Sequence, residues 1–396
     1  MKRVKKVLLV LLLLMLVSQI PFAYRRYKLH KLNSAIQLAN SKHNVLETDQ
    51  GYKEYRGVAH VHSFLGGHSS GQFADIISAA QANQLQFVIM TEHKEKDFDT
   101  AEMTLKGDHG GVLFVNGNEV SLPNDDRLLV LPGTPFADLS GQSSQRNLPG
   151  QVGIVAYPES FKSWQSTAYD GIEVYNVYSN ARQINPIVAF FDVLWSHRSY
   201  PDLLFASFYK RPDENLRRWD QLLTTRKVIG LAGNDAHANI GLSLIDSSGK
   251  TLVGLQLDPY PTSFHLVRLH VLLPTDQKLD QTNLLAALRE GHCFIGFDLF
   301  GDTSGFRFTA KNGAENRIQG DEIALTQNTR LEIALPVAGS IRLVKDGSAI
   351  GNDGQITFKE FEVKEKGVYR VEVYLPQLGR PVGDQPWIIS NPIYVR

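Results

Sequence analysis

His60 and His62 stand one residue apart in Gly57-Val-Ala-His-Val-His62, at the end of the first strand-like run of the chain. Successive side chains of a strand point to opposite faces, so an i, i+2 pair presents both imidazoles on one side and can grip a metal ion. The next apolar run, Gln86-Phe-Val-Ile-Met-Thr-Glu-His93, closes on Glu92 and His93. Val112-Leu-Phe-Val-Asn-Gly-Asn-Glu119 closes on Glu119, and Val228-Ile-Gly-Leu-Ala-Gly-Asn-Asp-Ala-His237 on Asp235 and His237. Four apolar runs thus hand over to His, Glu or Asp at their C-terminal ends, where parallel α/β folds place their chemistry. Imidazole and carboxylate donors suit Mn, Fe or Zn. The lone cysteine, Cys293, supplies neither an internal disulfide nor a Cys-rich zinc site.

Taken in order, His-x-His, Thr-Glu-His, Gly-Asn-Glu and Gly-Asn-Asp-Ala-His resemble the motifs of the polymerase and histidinol phosphatase (PHP) superfamily. The usual forms there are His-x-His, Thr-Asp-His, Gly-x-Glu and Gly-Ser-Asp-x-His. The resemblance covers about residues 56 to 300. Phe297-Asp-Leu-Phe-Gly-Asp-Thr-Ser-Gly-Phe306 and Pro386-Trp-Ile-Ile-Ser-Asn-Pro-Ile-Tyr-Val395 further resemble extracytoplasmic CehA/McbA-type members. It implies a distorted (β/α)7-type barrel with two or three divalent metals at its mouth. Three places depart from the pattern. Tyr157 stands in Val155-Ala-Tyr-Pro158 where the family often has a ligand His, and Asp126-Arg127 where another His commonly follows. Gly67-His68-Ser69-Ser70-Gly71 replaces a Ser-Asp-Gly, with His68 in reach of the Asp role. The expected complement is therefore one or two ions within a range of one to three.

On this reading His60, His62, His93, Glu119, Asp235 and His237 ligate metal, and Glu92 is either a ligand or a support behind the ligands. A metal pair ~3.5–4 Å apart holds a hydroxide at neutral pH and clamps ester oxygens, which makes a small phosphoester the expected substrate. Glu119 is the expected bridge, since a carboxylate can span two ions, and Glu119 and His237 carry the catalytic roles. His68, Arg127 and Tyr157 are candidates for substrate or metal contact, Arg127 because its fork of donors suits an oxyanion. A carboxylic or carbamate ester hydrolase on the same site, and a binding module with reduced turnover, are the alternatives. Gly67-His-Ser69-Ser-Gly71 also satisfies the Gly-x-Ser-x-Gly nucleophile pattern, but only one strand precedes it, and a serine hydrolase leaves the four strand ends unexplained. His197, His265, His270 and His292 fit no motif and read as structural or surface residues.

The elements that must position these groups follow from the patterning. With 396 residues there is room for one barrel of roughly 250 residues and a small second domain. Lys+Arg and Asp+Glu balance at 41 each, so no global field draws in nucleic acid, and none is expected as a partner. Lys2, Arg3, Lys5 and Lys6 precede an apolar run reaching Tyr24. From Val7 that run is about 18 residues or ~27 Å as a helix, close to one hydrocarbon core. It predicts a signal-anchor (1–24) with the catalytic body outside the cytoplasm, or a secreted protein if the signal is cleaved. Residues 25–55 read as a polar linker, 56–303 as the metallohydrolase domain and 304–396 as an Ig-like β-sandwich. Helices are expected over 73–81, capped by Ser69 or Ser70, and over about 181–196, 214–225 and 282–290, the last stopped by Gly291. Strands are expected at 152–157 and 171–176, and alternation with helices predicts a parallel sheet. Beyond Gly305 the strands alternate without helices, with Asp346-Gly347 as a hairpin turn.

Overall fold

The computed structural model describes residues 2–44, 51–133, 150–166, 169–181, 185–239, 241–245, 251–256, 258–313 and 315–396. Residues 45–50 of the expected linker and 182–184 of the expected helix 181–196 lie outside the described residues. The chain runs α1 (Lys2–Asn40), β1 (Tyr52–Val61), α2 (Phe73–Ala82), β2 (Phe87–Met90), β3 (Glu92–His93), α3 (Thr100–Met103), β4 (Gly107–His109), β5 (Val112–Val115), β6 (Asn118–Ser121) and β7 (Arg127–Leu131). It continues with β8 (Val152–Ala156), β9 (Gly171–Asn176), α4 (Val177–Ala181), α5 (Pro186–Ser196), α6 (Asp213–Leu223), β10 (Ile229–Gly233), β11 (Gly241–Ile245), β12 (Thr251–Gln256) and α7 (Tyr260–Leu266). Last come β13 (Arg268–Pro274), α8 (Gln281–Glu290), β14 (Cys293–Gly296), β15 (Arg307–Lys311), β16 (Asn316–Ile318), β17 (Glu322–Ile323), β18 (Arg330–Lys345), β19 (Ser348–Glu362), β20 (Gly367–Tyr374), β21 (Pro386–Ser390) and β22 (Ile393–Val395).

The architecture is mixed α/β, with a large mixed sheet and a strand-rich C-terminal region. β1, β2 and β5 are parallel neighbours, as are β8, β9 and β10. The expectation of a parallel sheet fails at β7, antiparallel to both β6 and β8, and at β13, antiparallel to both β1 and β14. β6 and β7 are joined by a short connection, as antiparallel neighbours allow, whereas β13 and β14 pair antiparallel with α8 between them. Around the site the backbone pairing forms a closed circuit. β1 bonds β2, which runs on through Thr91 into β3; β3 bonds β6, and β6 through β10 follow in register. Asn234 N donates to Ala59 O, Ala236 N to His60 O and His62 N to Ala236 O, which returns the circuit to β1.

α2 forms where predicted, with Ile76, Ala79 and Ala80 buried against Val58, Val88, Met90 and Phe114. Its N-cap is Gln72 instead of Ser69 or Ser70, whose hydroxyls go to the carbonyls of His237 and Ala238. The expected helix at 181–196 is two pieces, α4 and α5, the second opened by Asn185 and Pro186 at its cap. α8 stops at Gly291 in the left-handed conformation (φ 80°), as a Gly terminator requires. Asp346 and Gly347, both at positive φ, turn β18 into β19, as a two-residue hairpin demands.

The polar linker expected over 25–55 is largely structured. α1 carries on to Asn40, burying Leu32, Ile36 and Ala39 in the main core, and β1 begins at Tyr52. The boundary expected at 303/304 is not a break in the sheet, because β21 pairs with β14 and extends the sheet containing β1 into the C-terminal strands. The carboxamide of Asn391 mimics a strand there, accepting from Gly230 N (2.8 Å) and donating to the carbonyls of Gly230 and Cys293. Buried Arg370 bridges Asp220 on α6 to Glu372 on β20. The first device ties the C-terminal region to β10, the strand that leads to Asp235, and the second ties it to α6.

Candidate metal centre

The six residues expected to ligate metal come together at the C-terminal ends of β1, β3 and β10 and in β6. Ligand atoms of His60, His62, Glu119 and Asp235 lie within 4.8 Å of one another, and so do those of His62, His93 and His237. Glu119 Oε2 is 3.1 Å from His60 Nε2, 3.5 Å from His62 Nε2 and 3.7 Å from His93 Nδ1, so one oxygen touches both groups. Asp235 Oδ1 lies 3.5 Å, 3.6 Å and 3.4 Å from His60, His62 and His237. His62 stacks between His93 and His237, with ring centroids 4.6 Å and 4.3 Å away.

The histidine pair converges by a route that simple pleating does not give. His60 sits in a bulge of β1, at φ 63°, and His62 lies just past the strand's end. Tyr157 (φ 52°) and Asp235 (φ 49°) leave β8 and β10 in the same left-handed conformation. Non-glycine residues held there store strain that the surrounding structure must over-determine, and such strain gathers at functional sites.

The donors fit a cation. Both ring nitrogens of His62 and Oδ1 of Asp235 are buried without a hydrogen-bond partner among the described residues. A buried polar atom left unpaired costs about 1–3 kcal/mol, and a divalent ion would satisfy Asp235 Oδ1 and one of the two His62 nitrogens. Burial drives the His62 and His93 imidazoles down to about 3 and about 4, so both are neutral donors at pH 7. Burial alone would raise Glu119, but His60, His62 and His93 outweigh it and hold the carboxyl near 2. Asp235 is likewise held well below the carboxylate range against burial by His60, His62 and His237. Neutral His62 and His93 beside ionised Glu119 and Asp235 are the protonation states that metal binding needs. At His60 burial is outweighed by Glu173, Asp235 and Glu119, which hold it well above the ordinary imidazole value, so a metal would displace its Nε2 proton.

Glu173, which sequence reasoning did not single out, organises the set from behind. Its Oε1 is 2.6 Å from His60 Nδ1, while Asn176 Nδ2 donates to Oε2 (3.1 Å). With Nδ1–H committed to Glu173, His60 aims Nε2 at Glu119 and Asp235, where giving up its proton would free a lone pair for a metal. Gly233 makes this possible, since a Cβ there would collide with the Glu173 carboxylate. The signal in the sequence is one charged residue inside the otherwise apolar run Gly171-Ile-Glu-Val-Tyr.

Of the two readings of Glu92, the supporting one matches the geometry. Its oxygens accept from Ser63 N (3.1 and 3.0 Å), Ser63 Oγ (2.6 Å) and Thr104 Oγ1 (2.9 Å), and it belongs to neither candidate ligand group. Burial, the largest influence, raises its carboxyl. Arg127 Nη1 donates to Glu119 Oε1 (3.3 Å), and the Tyr157 hydroxyl to Asp235 Oδ2 (2.8 Å). At both places where the resemblance expects an imidazole, a hydrogen-bond donor, cationic in Arg127 and neutral in Tyr157, holds the outer oxygen of a carboxylate. His68 is exposed, edge-on to the His93 ring at 5.0 Å. Ser69 Oγ donates to the His237 carbonyl (2.5 Å) and meets the Tyr260 hydroxyl (3.0 Å), so it braces the Asp235–His237 turn with no catalytic imidazole in its bonds. Of the histidines outside the motifs, His265 pairs with Asp202, His270 with Glu54 and His292 with Asp321.

No protein-family model matches the chain, and no curated protein matches it. Among solved structures it is similar to PsfC from Pseudomonas syringae PB-5123, with 14% sequence identity and a TM-score of 0.32 over 60% of this chain and 90% of that one. Likeness at that level defines neither a shared fold nor a shared activity.

Proposed function

We propose that the chain is a membrane-anchored, metal-dependent hydrolase of the PHP kind, acting on phosphoesters. The observation that carries the reading is the convergence of His60, His62, His93, Glu119, Asp235 and His237, with the buried donors of His62 and Asp235 left unpaired. The hydrogen-bonded circuit from β1 through β10 supports a distorted (β/α)7-type barrel. The alternating strands after Gly305 support an Ig-like fold for the C-terminal region, built onto the same sheet. α1 is long and apolar enough to cross a membrane, and its basic N-terminal flank supports a body outside the cytoplasm.

When bound, Mn, Fe or Zn would supply a hydroxide nucleophile at neutral pH and polarise the ester oxygens. The chain's own groups divide the remaining work. Glu173 and Glu92 hold the inner face, one orienting His60 and the other fixing the turn at Ser63. Tyr157 and Arg127 each occupy one carboxylate oxygen, which leaves Asp235 Oδ1 and Glu119 Oε2 facing the cluster and favours one or two ions over three. Arg127 is half-exposed, and its remaining N–H groups suit an anionic ester oxygen at the rim. His68 flanks the same opening.

The test is a panel of phosphomonoesters, phosphodiesters, carboxylic esters and carbamates, offered to the metal-replete full-length protein with and without chelator. Phosphoester turnover abolished by chelation and restored by metal is expected. Turnover confined to carboxylic or carbamate esters would move the substrate class. Bound metal without turnover would make this a binding module, and chelator-insensitive turnover would contradict the reading outright.

A further inference from the structure

Helix α5 carries an apolar stripe with no protein against it among the described residues. Ile187, Phe190 and Leu194 recur at helical spacing and are 68%, 47% and 67% exposed. Removing apolar side chains of this size from water is favourable, so a stripe left in water forgoes that stabilisation. The rest of α5 rests on α1. Phe191 stacks on Phe22 with centroids 4.6 Å apart, and Trp195 Nε1 donates to Gln19 Oε1 at 3.0 Å. Asp192, the one charge in α5, accepts from both Arg25 Nε (2.7 Å) and Arg25 Nη2, while Arg26 reaches the Trp195 carbonyl.

These contacts fall between Gln19 and Arg26 of α1, a rise of about 10 Å. In that interval the apolar run gives way to Arg25, Arg26, Lys28 and Lys31, and Tyr24, Tyr27, Trp195 and Tyr200 gather around it. Aromatic and basic residues at the end of a membrane-crossing helix mark the boundary between acyl chains and headgroups. Below α5, a cavity of about 940 Å³ opens between α1 and the body, with apolar walls from Leu29, Val188 and Leu378 and cations from Lys28 and Lys210. The exposed stripe thus lies on a helix docked just past the exposed apolar stretch Val7 to Val17 of α1.

We propose that α5 is a membrane-interface helix, with its Ile187, Phe190 and Leu194 stripe immersed in the acyl region of the leaflet beside α1. A short apolar helix whose only charge is neutralised, lying at headgroup level, has the character of an interfacial anchor. The inference rests on the membrane-anchored reading above. Its consequence is a body held with one side against the bilayer. α4, which meets His237 through Tyr178 and the cavity through Asn180, then spans the short distance between the lipid surface and the cluster.

Spin labels on the full-length protein in phospholipid vesicles test this, at Leu194→Cys and Phe190→Cys, with Leu12→Cys as a reference in the span and Phe358→Cys as a reference in water. Cys293 is buried and stays unlabelled. The readout is collision with lipid-soluble oxygen against a water-soluble nickel chelate. Labels at 190 and 194 are expected to show several-fold lower nickel collision than the label at 358 and to side with Leu12→Cys in favouring oxygen. Nickel access at 190 and 194 equal to that at 358, with Leu12→Cys still in lipid, would overturn the interfacial helix and leave the anchor standing. Nickel access at Leu12→Cys as well would remove the anchor and the proposal together. Shielding of 190 and 194 from both reagents would mean that protein covers the stripe, which also overturns the proposal.

Discussion

Glu119 divides its two oxygens between different tasks, Oε1 to Arg127 at the rim and Oε2 to the cluster of imidazoles. Replacing Glu119 by Gln keeps the shape but removes the negative charge that a cation between these imidazoles would use. The variant is expected to lose metal occupancy and on the order of a hundredfold or more in rate, several kcal/mol of transition-state stabilisation. Steady-state turnover with metal content measured on the same sample checks this; wild-type metal and near-normal turnover would remove Glu119 from the mechanism. Glu173 acts one step back. Glu173→Gln should leave His60 in place yet weaken its orientation and basicity, lowering metal affinity by about 10–100-fold, as loss of a carboxylate behind a ligating His does. Competition with a chelator of known affinity reads that change, and an unaltered affinity would reduce Glu173 to a packing residue. The ligands were legible because each is a chemically distinctive residue closing an apolar run. Glu173 was not, because it lies within its strand and its partner His60 is 113 positions away.

At the scale of elements, the sequence placed α2, α6 and α8, the last through its Gly291 stop, and most strands of the circuit through apolar patterning, while β7 was not among the expected strands. Strand direction was less legible: alternation with helices argued for parallel pairing, yet β7, β13 and β14 run antiparallel. Patterning reports which face is buried, and both directions bury the same face. β13 also carries a buried polar network that patterning cannot foresee. His270 meets Glu54 at 2.8 Å and Thr303 Oγ1 at 2.9 Å, and Asp298 lies between His270 and Arg268. Burial would depress the imidazole, but Asp298 and Glu54 outweigh it and push His270 up to about 9 from 6.5. A raised folded-state value means that the charged imidazole contributes its full stabilisation below pH 6.5 and loses it as pH rises through about 9. Glu54 and Asp298 are lowered, so their contribution is present at neutral pH and lost in acid. The melting temperature of the wild type should therefore fall between pH 7 and pH 9.5 more steeply than that of His270→Gln. Parallel profiles for the two proteins would show that His270 is not charged in the folded state.

At the scale of the whole molecule, three regions read from sequence as an anchor with linker, a catalytic body and an appended β-domain share packed surfaces. α1 continues past the apolar run and sinks Leu32, Ile36 and Ala39 into the main core, a contact obscured in the sequence by the polar Asn33, Ser34 and Gln37 between them. β21 and Asn391 tie the C-terminal strands to β14 and β10, so that region backs the strand that leads to Asp235. Such long-range ties leave no local signature, whereas the cluster they support does, and the account stands on that cluster binding metal. Elemental analysis of the full-length protein, purified after metal-replete expression and compared with Asp235→Asn, tests this most directly. One to three equivalents of Mn, Fe or Zn per chain are predicted for the wild type, with a marked loss in the variant. A folded wild type without stoichiometric transition metal, or equal metal in both proteins, would contradict it.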